Sequence, residues 1–339
     1  MKKKICISGY YGHDNFGDET ILELLIQNLR KMQNVKDITV LSADAQKTYS
    51  MLAVPAVRSF SFRNALKAIK NCNCLISGGG SLLQDVTSKK SLMYYLGILL
   101  AAQLMFKETI IFAQGIGPIN DKKLEALTKF VLKRAKYVSV RDEASYNLLK
   151  NWNIKATLCD DPAWNINVCK QPSSNKVGIQ LRRWDSLTDD KLRKIAEQIN
   201  KHYADKEILV LSLQHKMDYE ICDRLVRFLK EINGCINASV VKYDTNEEMI
   251  NTIASLDELI AMRYHACLVG IKAGVKVLPL SYDIKVENLA KQFNLKYVDM
   301  NACCFDENAI EEFKNSSICY DQEKICKLGF NFAELEKHI

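Results

Sequence analysis

The sequence lacks the features that mark several large classes of protein. It has no CxxC pair, only 5 prolines and 14 glycines in 339 residues, no internal repeat and no low-complexity segment. Its longest apolar run, from Ser91 to Phe106, is shorter than the ~20 residues that a membrane-spanning helix requires. We therefore exclude a fibrous or disordered chain, and we expect this run to form a buried helix of a globular protein.

Twelve cysteines are present, but the chain is long and opens without the apolar core of an export signal. Cys6 and Cys267 lie inside apolar runs, so we expect reduced, buried thiols and no metal site. We interpret the first residues, "MKKKICISGY", as the first strand of a cytoplasmic protein.

The formal charge of +7 is interspersed along the sequence, which argues against nucleic-acid binding and suits an anionic small molecule. It also permits peripheral contact with the inner face of the plasma membrane.

The length predicts two domains, since one core rarely serves so long a chain. Short β-rich runs alternate with helical patterns almost from end to end, which is typical of βαβ units and parallel sheets. A polar stretch, "NVCKQPSSNK", separates two such series. The sequence thus predicts an α/β protein with Rossmann-like domains at 1–170 and 171–339 and a cleft between them. In such sheets ligands bind at the carboxyl ends of the strands, where we place the candidate site residues.

The loop after the first strand, "GYYGHDNFGDE", predicts a helix N-terminus that receives a polar or negative group. Its glycines, Gly9, Gly12 and Gly17, do not match the G-x-G-x-x-G fingerprint of dinucleotide-binding proteins. Asp14 and Asn15, with Asp18 in the same loop, are helix-capping candidates and also candidate site residues.

Three further strand ends of the first half carry candidate residues. Gly78, Gly79 and Gly80 would offer unobstructed backbone N–H groups, although a sharp turn explains the triplet equally well. Arg141 and Asp142 end another strand and could bind a ligand. The alternative is structural: Asp142 would cap the next helix, and Arg141 would pair with a nearby carboxylate. Gln114, in "QGIGP", completes the candidates of this half.

The strongest signal in the second half is "AMRYHACLVGIKAGV". It predicts a strand followed by a helix from about Tyr264 to Gly274. Arg263 and His265 then lie at the helix N-terminus, a position that favours a phosphate or carboxylate ligand. His265 is also a candidate acid–base group. Other strand ends of this half add polar candidates, namely Arg182, Arg183, Gln214, Asp283 and Lys285.

Taken in order, these motifs resemble the polysaccharide pyruvyl transferase family of CsaB type. The resemblance rests on "GYYGHDNFGDE", "ISGGGSLLQD", "QGIGP", "VRDEAS", "DDPAW", "MRYHA" and "SYDIKV". It implies a GT-B-like fold and transfer of pyruvate from phosphoenolpyruvate to two hydroxyls of a sugar, giving a cyclic ketal. It further implies an acceptor such as N-acetylmannosamine, often carried on a lipid diphosphate, and no metal or redox cofactor.

Within this resemblance the first domain would hold the acceptor and the second phosphoenolpyruvate. Arg263, aided by Arg182 or Lys285, would bind the donor, His265 would act as an acid, and Asp14 or Asp18 would deprotonate the sugar. The family usually has Arg-Leu-His at the position of Arg263, Tyr264 and His265, so Tyr264 is expected to alter the pocket.

Two other classes of function stay open at this point. A GT-B-type glycosyltransferase using a nucleotide sugar fits the two-domain architecture, although no Glu near "AMRYHACL" is placed to hold a ribose. A noncatalytic protein that binds an anionic sugar fits as well. The only feature that favours a dehydrogenase is Asp44 after "ITVLS", and the sequence lacks the G-x-G-x-x-G fingerprint of dinucleotide-binding proteins.

Overall fold

A computed structural model describes residues 2–172 and 174–339. The chain divides into two compact units. The N-terminal unit consists of Met1–Asn165 together with Leu328–Ile339, and the C-terminal unit consists of Ile166–Lys327. Both are parallel α/β structures with Rossmann-like strand–helix alternation, as the sequence predicts.

The N-terminal unit contains a parallel sheet of eight strands in the order β3-β2-β1-β4-β6-β7-β8, with β5 also paired to β6. Its strands are β1 Lys3–Ser8, β2 Val35–Ser42, β3 Ala56–Arg58, β4 Cys74–Ser77, β5 Gly80–Leu83, β6 Glu108–Ile116, β7 Tyr137–Val140 and β8 Thr157–Leu158. Its helices are α1 Phe16–Lys31, α2 Ala45–Leu52, α3 Phe62–Asn71, α4 Lys89–Leu104, α5 Lys122–Leu132, α6 Glu143–Asn151 and, at the C-terminus, α14 Phe332–His338; a 3₁₀ turn spans Pro162–Asn165.

The C-terminal unit repeats the plan with six parallel strands in the order β11-β10-β9-β12-β13-β14. The strands are β9 Lys176–Gln180, β10 Glu207–Ser212, β11 Ala238–Lys242, β12 Glu258–Ala261, β13 Lys276–Ser281 and β14 Val298–Asp299. The helices are α7 Asp189–Tyr203, α8 His215–Ile232, α9 Asn246–Ala254, α10 Tyr264–Ala273, α11 Ile284–Gln292, α12 Ala309–Asn315 and α13 Gln322–Lys327.

The longest apolar run forms α4, as predicted. Leu92, Leu96 and Leu99 of this helix are buried in the core of the N-terminal unit. None of the described helices is both long and apolar enough to span a bilayer.

The predicted state of the cysteines is confirmed in one respect and wrong in another. All twelve thiols are free. Only five are buried, whereas six are exposed, because most of the latter lie in connecting segments of the C-terminal unit: Cys169, Cys235, Cys303, Cys304, Cys319 and Cys326.

The predicted extent of the second domain, 171–339, is wrong at its end, because the last residues return to the first unit. Phe330 is buried with its ring 4.6 Å from that of Phe112 in β6. The backbone N–H of Phe330 donates to Asn165 Oδ1 at 2.7 Å, and Asn165 Nδ2 donates back to the Phe330 carbonyl at 3.2 Å. The ring of His338 stacks on Tyr137 at 4.1 Å. Burial of the phenylalanine and pairing of its backbone thus fix this tail to the N-terminal unit.

We expect Phe330→Ala to destabilise the N-terminal unit by about 3–5 kcal/mol, because it removes a buried ring from a packed core. Phe106→Ala is the matched control, since Phe106 is 97% exposed and its loss should change stability by less than about 0.5 kcal/mol. Denaturant unfolding of both variants measures the difference. Equal unfolding free energies would show that the tail does not contribute to this core.

Candidate functional site

The carboxyl edge of the C-terminal sheet carries Arg263 at the junction between β12 and α10. Arg263 is the N-cap residue of α10, and the helix ends at Gly274, whose φ of 77° suits glycine. The predicted bounds of this helix are therefore confirmed. The guanidinium group of Arg263 donates to both carboxylate oxygens of Asp218, from Nε at 2.7 Å and from Nη2 at 2.6 Å.

The environment of Arg263 extends to two neighbouring strands. Its backbone N–H donates to Gln180 Oε1 at 2.7 Å at the end of β9. Its Nη2 also donates to Gln214 Oε1 at 2.9 Å, in the residue that precedes α8. Asp218 is fully buried and accepts a further bond from the Gln214 N–H at 3.0 Å. A cation at a helix N-terminus thus has a structural explanation that the sequence did not indicate, namely a buried bidentate ion pair.

Arg182 lies at the end of β9, beside the strand that carries Arg263. Its backbone N–H contacts Met262 Sδ at 3.5 Å, which links it to the residue just before Arg263. Its Nη1 donates to the Tyr282 hydroxyl at 2.8 Å, and its guanidinium carbon lies 4.7 Å from the centre of that ring. The Trp184 ring lies 5.4 Å from the same carbon. The structure thus gathers Arg182 and Arg263 at the ends of adjacent strands.

Two further candidates of this edge lie in the first turns of helices. His265 is in the first turn of α10, edge-on to Tyr264 with ring centres 5.1 Å apart. Lys285 is in the first turn of α11, where its backbone N–H donates to the capping residue Asp283 at 3.1 Å. Arg183 is exposed. The edge therefore combines two arginines with a helix N-terminus and a histidine, an arrangement that can bind a small dianion and move a proton.

The carboxyl edge of the N-terminal sheet carries the loop before α1. Asn15 caps α1 by accepting from the Gly17 N–H at 3.3 Å, and its Nδ2 donates to Asp18 Oδ2 at 2.6 Å. Asp14 has a left-handed φ of 56° and forms an ion pair with Lys47 at 2.7 Å. The loop therefore keeps these partly exposed carboxylates in fixed positions beside the helix N-terminus.

The glycine triplet does not form the open backbone surface that we predicted. All three residues are buried because α1 and its preceding loop pack on them. A Cβ at Gly78 would lie 1.9 Å from the Tyr11 hydroxyl, one at Gly79 would lie 2.8 Å from Ile21, and one at Gly80 would lie 2.6 Å from Asp18 Oδ1. These glycines permit close packing, which favours the alternative of a sharp turn for this triplet.

Two other candidates of this edge also have structural partners. Gln114 is fully buried, and its Nε2 donates to Ser77 Oγ at 2.7 Å and to the Gly78 carbonyl at 2.8 Å. The Gln114 amide nitrogen therefore braces the glycine turn. Arg141 forms a buried ion pair with Asp161 and donates to Ser81 Oγ at 3.3 Å. Of the two interpretations of Arg141, the structure shows the ion pair.

Glu19 is a residue of this edge whose structural role sequence reasoning missed. It lies on the first turn of α1, is buried, and accepts from the Gly12 N–H at 2.7 Å, so it holds the loop against the helix. Burial raises the pKa of Glu19 to about 8, although backbone bonds from Gly12 and His13 oppose this shift. Glu19 is the last residue of "GDE" in the loop motif, but its burial depends on packing contacts that cannot be seen in the sequence.

Comparison with known proteins defines the class of the molecule first. The structure of UDP-GlcNAc 2-epimerase from Methanocaldococcus jannaschii has a TM-score of 0.67, with 12% identity over 95% of each chain. A putative UDP-N-acetylglucosamine 2-epimerase from Listeria monocytogenes has a TM-score of 0.64, with 12% identity over 96% of this chain and 94% of the other. An alpha-glucosyltransferase in complex with UDP and DNA has a TM-score of 0.53, with 14% identity over 100% and 93%. The chain therefore has the GT-B-like α/β fold that the sequence predicts.

The family follows from the sequence model of polysaccharide pyruvyl transferases, which matches residues 15–284. The match begins at Asn15, the N-cap residue of α1, and extends to Ile284, the first residue of α11. No curated protein matches this chain. The protein belongs to the polysaccharide pyruvyl transferase family and is an enzyme of that type.

The raised pKa of Glu19 makes stability dependent on pH in a defined direction. An unfolded Glu titrates near pH 4.3, so between about pH 4.3 and 8 the folded state binds the proton more tightly. The stability supplied by this group is complete below pH 4.3 and falls as the pH rises through 8. We expect Glu19→Gln, which keeps the acceptor oxygen, to raise the melting temperature more at pH 8 than at pH 5.

The exposed Glu143 in the first turn of α6 provides the control, and Glu143→Gln should give the same small shift at both pH values. A Glu19→Gln effect that does not change with pH would mean that this carboxyl group is ionised throughout the range.

Proposed function

We propose that this enzyme transfers pyruvate from phosphoenolpyruvate to a sugar of a cell-wall polysaccharide, or of its lipid-linked precursor, and forms a cyclic ketal. The observation that carries the donor assignment is the pair of arginines, Arg182 and Arg263, at the ends of adjacent strands β9 and β12. Phosphoenolpyruvate carries a phosphate and a carboxylate close together, so two guanidinium groups beside a helix N-terminus match its charge.

The contacts of the two arginines suggest separate tasks. Arg263 is neutralised by Asp218 and held by Gln214, so it adds little net charge but presents oriented N–H donors. Among the described residues, the guanidinium group of Arg182 contacts neutral groups, namely the Tyr282 hydroxyl and the rings of Trp184 and Tyr282. We assign the main neutralisation of the donor to Arg182, with Lys285 as a further candidate, while Tyr264 would shape the pocket.

The reaction requires proton movement at four places. The methylene carbon of the donor gains a proton, a sugar hydroxyl attacks the central carbon and loses its proton, and the phosphate leaves with its oxygen. A second hydroxyl then attacks the resulting oxocarbenium carbon and loses its proton, so the two hydroxyl protons balance those taken up by the methyl group and the phosphate. His265 is proposed as the acid, and Asp14 or Asp18 as the group that deprotonates the sugar.

Asp14 and Asp18 differ in their suitability as a base. The carboxylate of Asp14 forms an ion pair with Lys47. Asp18 accepts from Asn15 and lies against Gly80. The proposed reaction needs no redox cofactor or metal, because phosphoenolpyruvate itself carries the pyruvyl group that is transferred.

The proposed acceptor sugar is N-acetylmannosamine.

Two variants separate binding from chemistry. Arg182→Gln should raise the KM for phosphoenolpyruvate about tenfold or more, because it removes a charge-assisted contact with the donor. His265→Ala should lower kcat by about 10² to 10⁴-fold with a smaller effect on KM. Phosphate release with a lipid-linked disaccharide ending in N-acetylmannosamine measures both constants. Arg183→Gln, at the exposed neighbouring arginine, is the control for a general loss of positive charge.

Unchanged kinetics in both variants would refute this site assignment. Release of UDP from a UDP-sugar, without any requirement for phosphoenolpyruvate, would identify a nucleotide-sugar glycosyltransferase instead.

We also propose peripheral contact with the inner face of the plasma membrane. The amino edge of the N-terminal sheet has a surface pocket of about 700 Å³. Glu108 is the only carboxylate among the residues that line it, whereas six lysines do so: Lys2, Lys3, Lys4, Lys36, Lys70 and Lys107. Such a cluster attracts anionic headgroups at low salt.

The double charge reversal Lys36→Glu with Lys70→Glu should weaken binding to phosphatidylglycerol vesicles by at least about tenfold. The pair Lys216→Glu with Lys230→Glu makes the same change in net charge on the C-terminal unit and should have less effect. Vesicle co-sedimentation at low salt measures both. Equal losses would show that only the net charge matters and that this edge is not the contact surface.

A further inference from the structure

Four aromatic rings form a continuous row that begins in the loop before α1. The rings of Tyr10 and His13 stack at 4.0 Å with an angle of 8° between their planes. His13 meets Phe60 edge-on at 6.0 Å, and Phe60 lies 6.4 Å from Tyr94. We refer to Tyr10, His13, Phe60 and Tyr94 as the aromatic row.

The two end members of the aromatic row are anchored in the core. Tyr10 and Tyr94 pack against the hydrophobic cluster of the N-terminal unit. Phe60, in contrast, is 74% exposed. A folded chain gains little from an exposed phenylalanine ring, because the ring stays in contact with water.

The exposure of Phe60 is imposed by well-bonded neighbours. The N–H of Ser59 donates to the Ser42 carbonyl at 2.8 Å at the end of β2. The hydroxyl of Tyr94 donates to the Ser59 carbonyl at 3.1 Å. Ser61 N–H donates to the Arg58 carbonyl at 3.2 Å, which closes the turn that contains Phe60. The ring is thus held outward by a turn tied to β2 and α4, a preorganised arrangement that lowers the entropy cost of binding.

The aromatic row lies on the carboxyl edge of the sheet, where the proposed acceptor residues lie. Tyr10 and His13 follow β1, Phe60 follows β3, and only β2 lies between these strands. His13 directly precedes Asp14, whose carboxylate is paired with Lys47. Apolar ring faces therefore border charged and hydrogen-bonding groups along one stretch of surface.

We propose that the aromatic row binds a second sugar of the acceptor, next to the one that receives pyruvate. This inference rests on the proposed function, in which this unit holds the acceptor. A pyranose ring has an apolar C–H face, which packs on aromatic rings, and a rim of hydroxyls, which bond to groups such as Asp14. An acyl chain would instead cover the Asp14–Lys47 pair without offering a hydrogen bond, which is unfavourable. The surface therefore fits a carbohydrate better than a lipid tail.

The test compares two acceptors without the donor, so that binding is read apart from turnover. Phe60→Ala should weaken binding of a disaccharide ending in N-acetylmannosamine about three- to tenfold, as expected for the loss of one ring contact. Binding of N-acetylmannosamine alone should not change, because it occupies only the position next to Asp14. Phe60→Trp, which keeps an aromatic face, should retain disaccharide binding. Titration calorimetry or saturation-transfer NMR measures these affinities.

Phe106→Ala is the matched control, since it removes another exposed phenylalanine, at the opposite edge of the same sheet. It should leave both affinities unchanged. Equal affinities of wild type and Phe60→Ala for the disaccharide would overturn the inference, and so would an equal loss for both sugars. If Phe60→Ala lowered binding to phosphatidylglycerol vesicles and not to the disaccharide, the row would be a membrane contact and the inference would be wrong.

Failure of the inference can be told apart from failure of the proposed function. Ketal formation from phosphoenolpyruvate at the same kcat/KM in wild type and Phe60→Ala would keep the function and refute the role of the row. Disaccharide binding that depends on Phe60, without any ketal product from wild type, would support the row and refute the function.

Discussion

The carboxyl edge of the C-terminal sheet depends on one buried ion pair, Arg263 with Asp218. A carboxylate with no exposed surface is tolerated only when strong donors surround it, and here it accepts from the guanidinium group and from the Gln214 N–H. The same arginine is tied through Gln180 to the neighbouring strand. The pair therefore fixes the positions of β9, α8 and α10 relative to one another. The ion pair with Asp218 therefore leaves the N–H groups of Arg263 little conformational freedom.

A comparable constraint acts in the N-terminal unit through packing. Tyr11 is buried against Gly78, and Asp18 lies against Gly80. Because the β4–β5 turn has glycine at these positions, α1 and its loop approach it more closely than a residue with a side chain would allow. Glu19 then holds the loop by accepting from Gly12. The position of Asp14 and Asn15 on this edge thus follows from contacts made one layer below them.

Much of the fold was predictable from the sequence because its signals are local. Strand–helix alternation and strand-end motifs define parallel sheets, and Gly274 marks the end of α10 as expected. Features that depend on distant contacts were not predictable. Asp218 meets Arg263 only after α8 folds back on the sheet, and the glycine triplet is covered only once α1 packs on it. The return of Phe330 to Phe112 depends on residues far apart in sequence, so no local pattern announces it.

The site residues divide in the same way. The sequence correctly placed Arg182 and Arg263 at strand ends, but it gave no sign that Tyr282 would contact the guanidinium group of Arg182. Residue type and position along the chain indicate where chemistry can occur. The partners that orient each group come from neighbouring strands, and only the three-dimensional structure reveals them.

The most direct test of this account is the mass of the product formed when the purified enzyme is incubated with phosphoenolpyruvate and a lipid-linked disaccharide ending in N-acetylmannosamine. The account predicts a mass increase equal to one pyruvyl ketal per acceptor, with one phosphate released for each ketal. An unchanged acceptor, or a mass increase that requires a nucleotide sugar and not phosphoenolpyruvate, would contradict it.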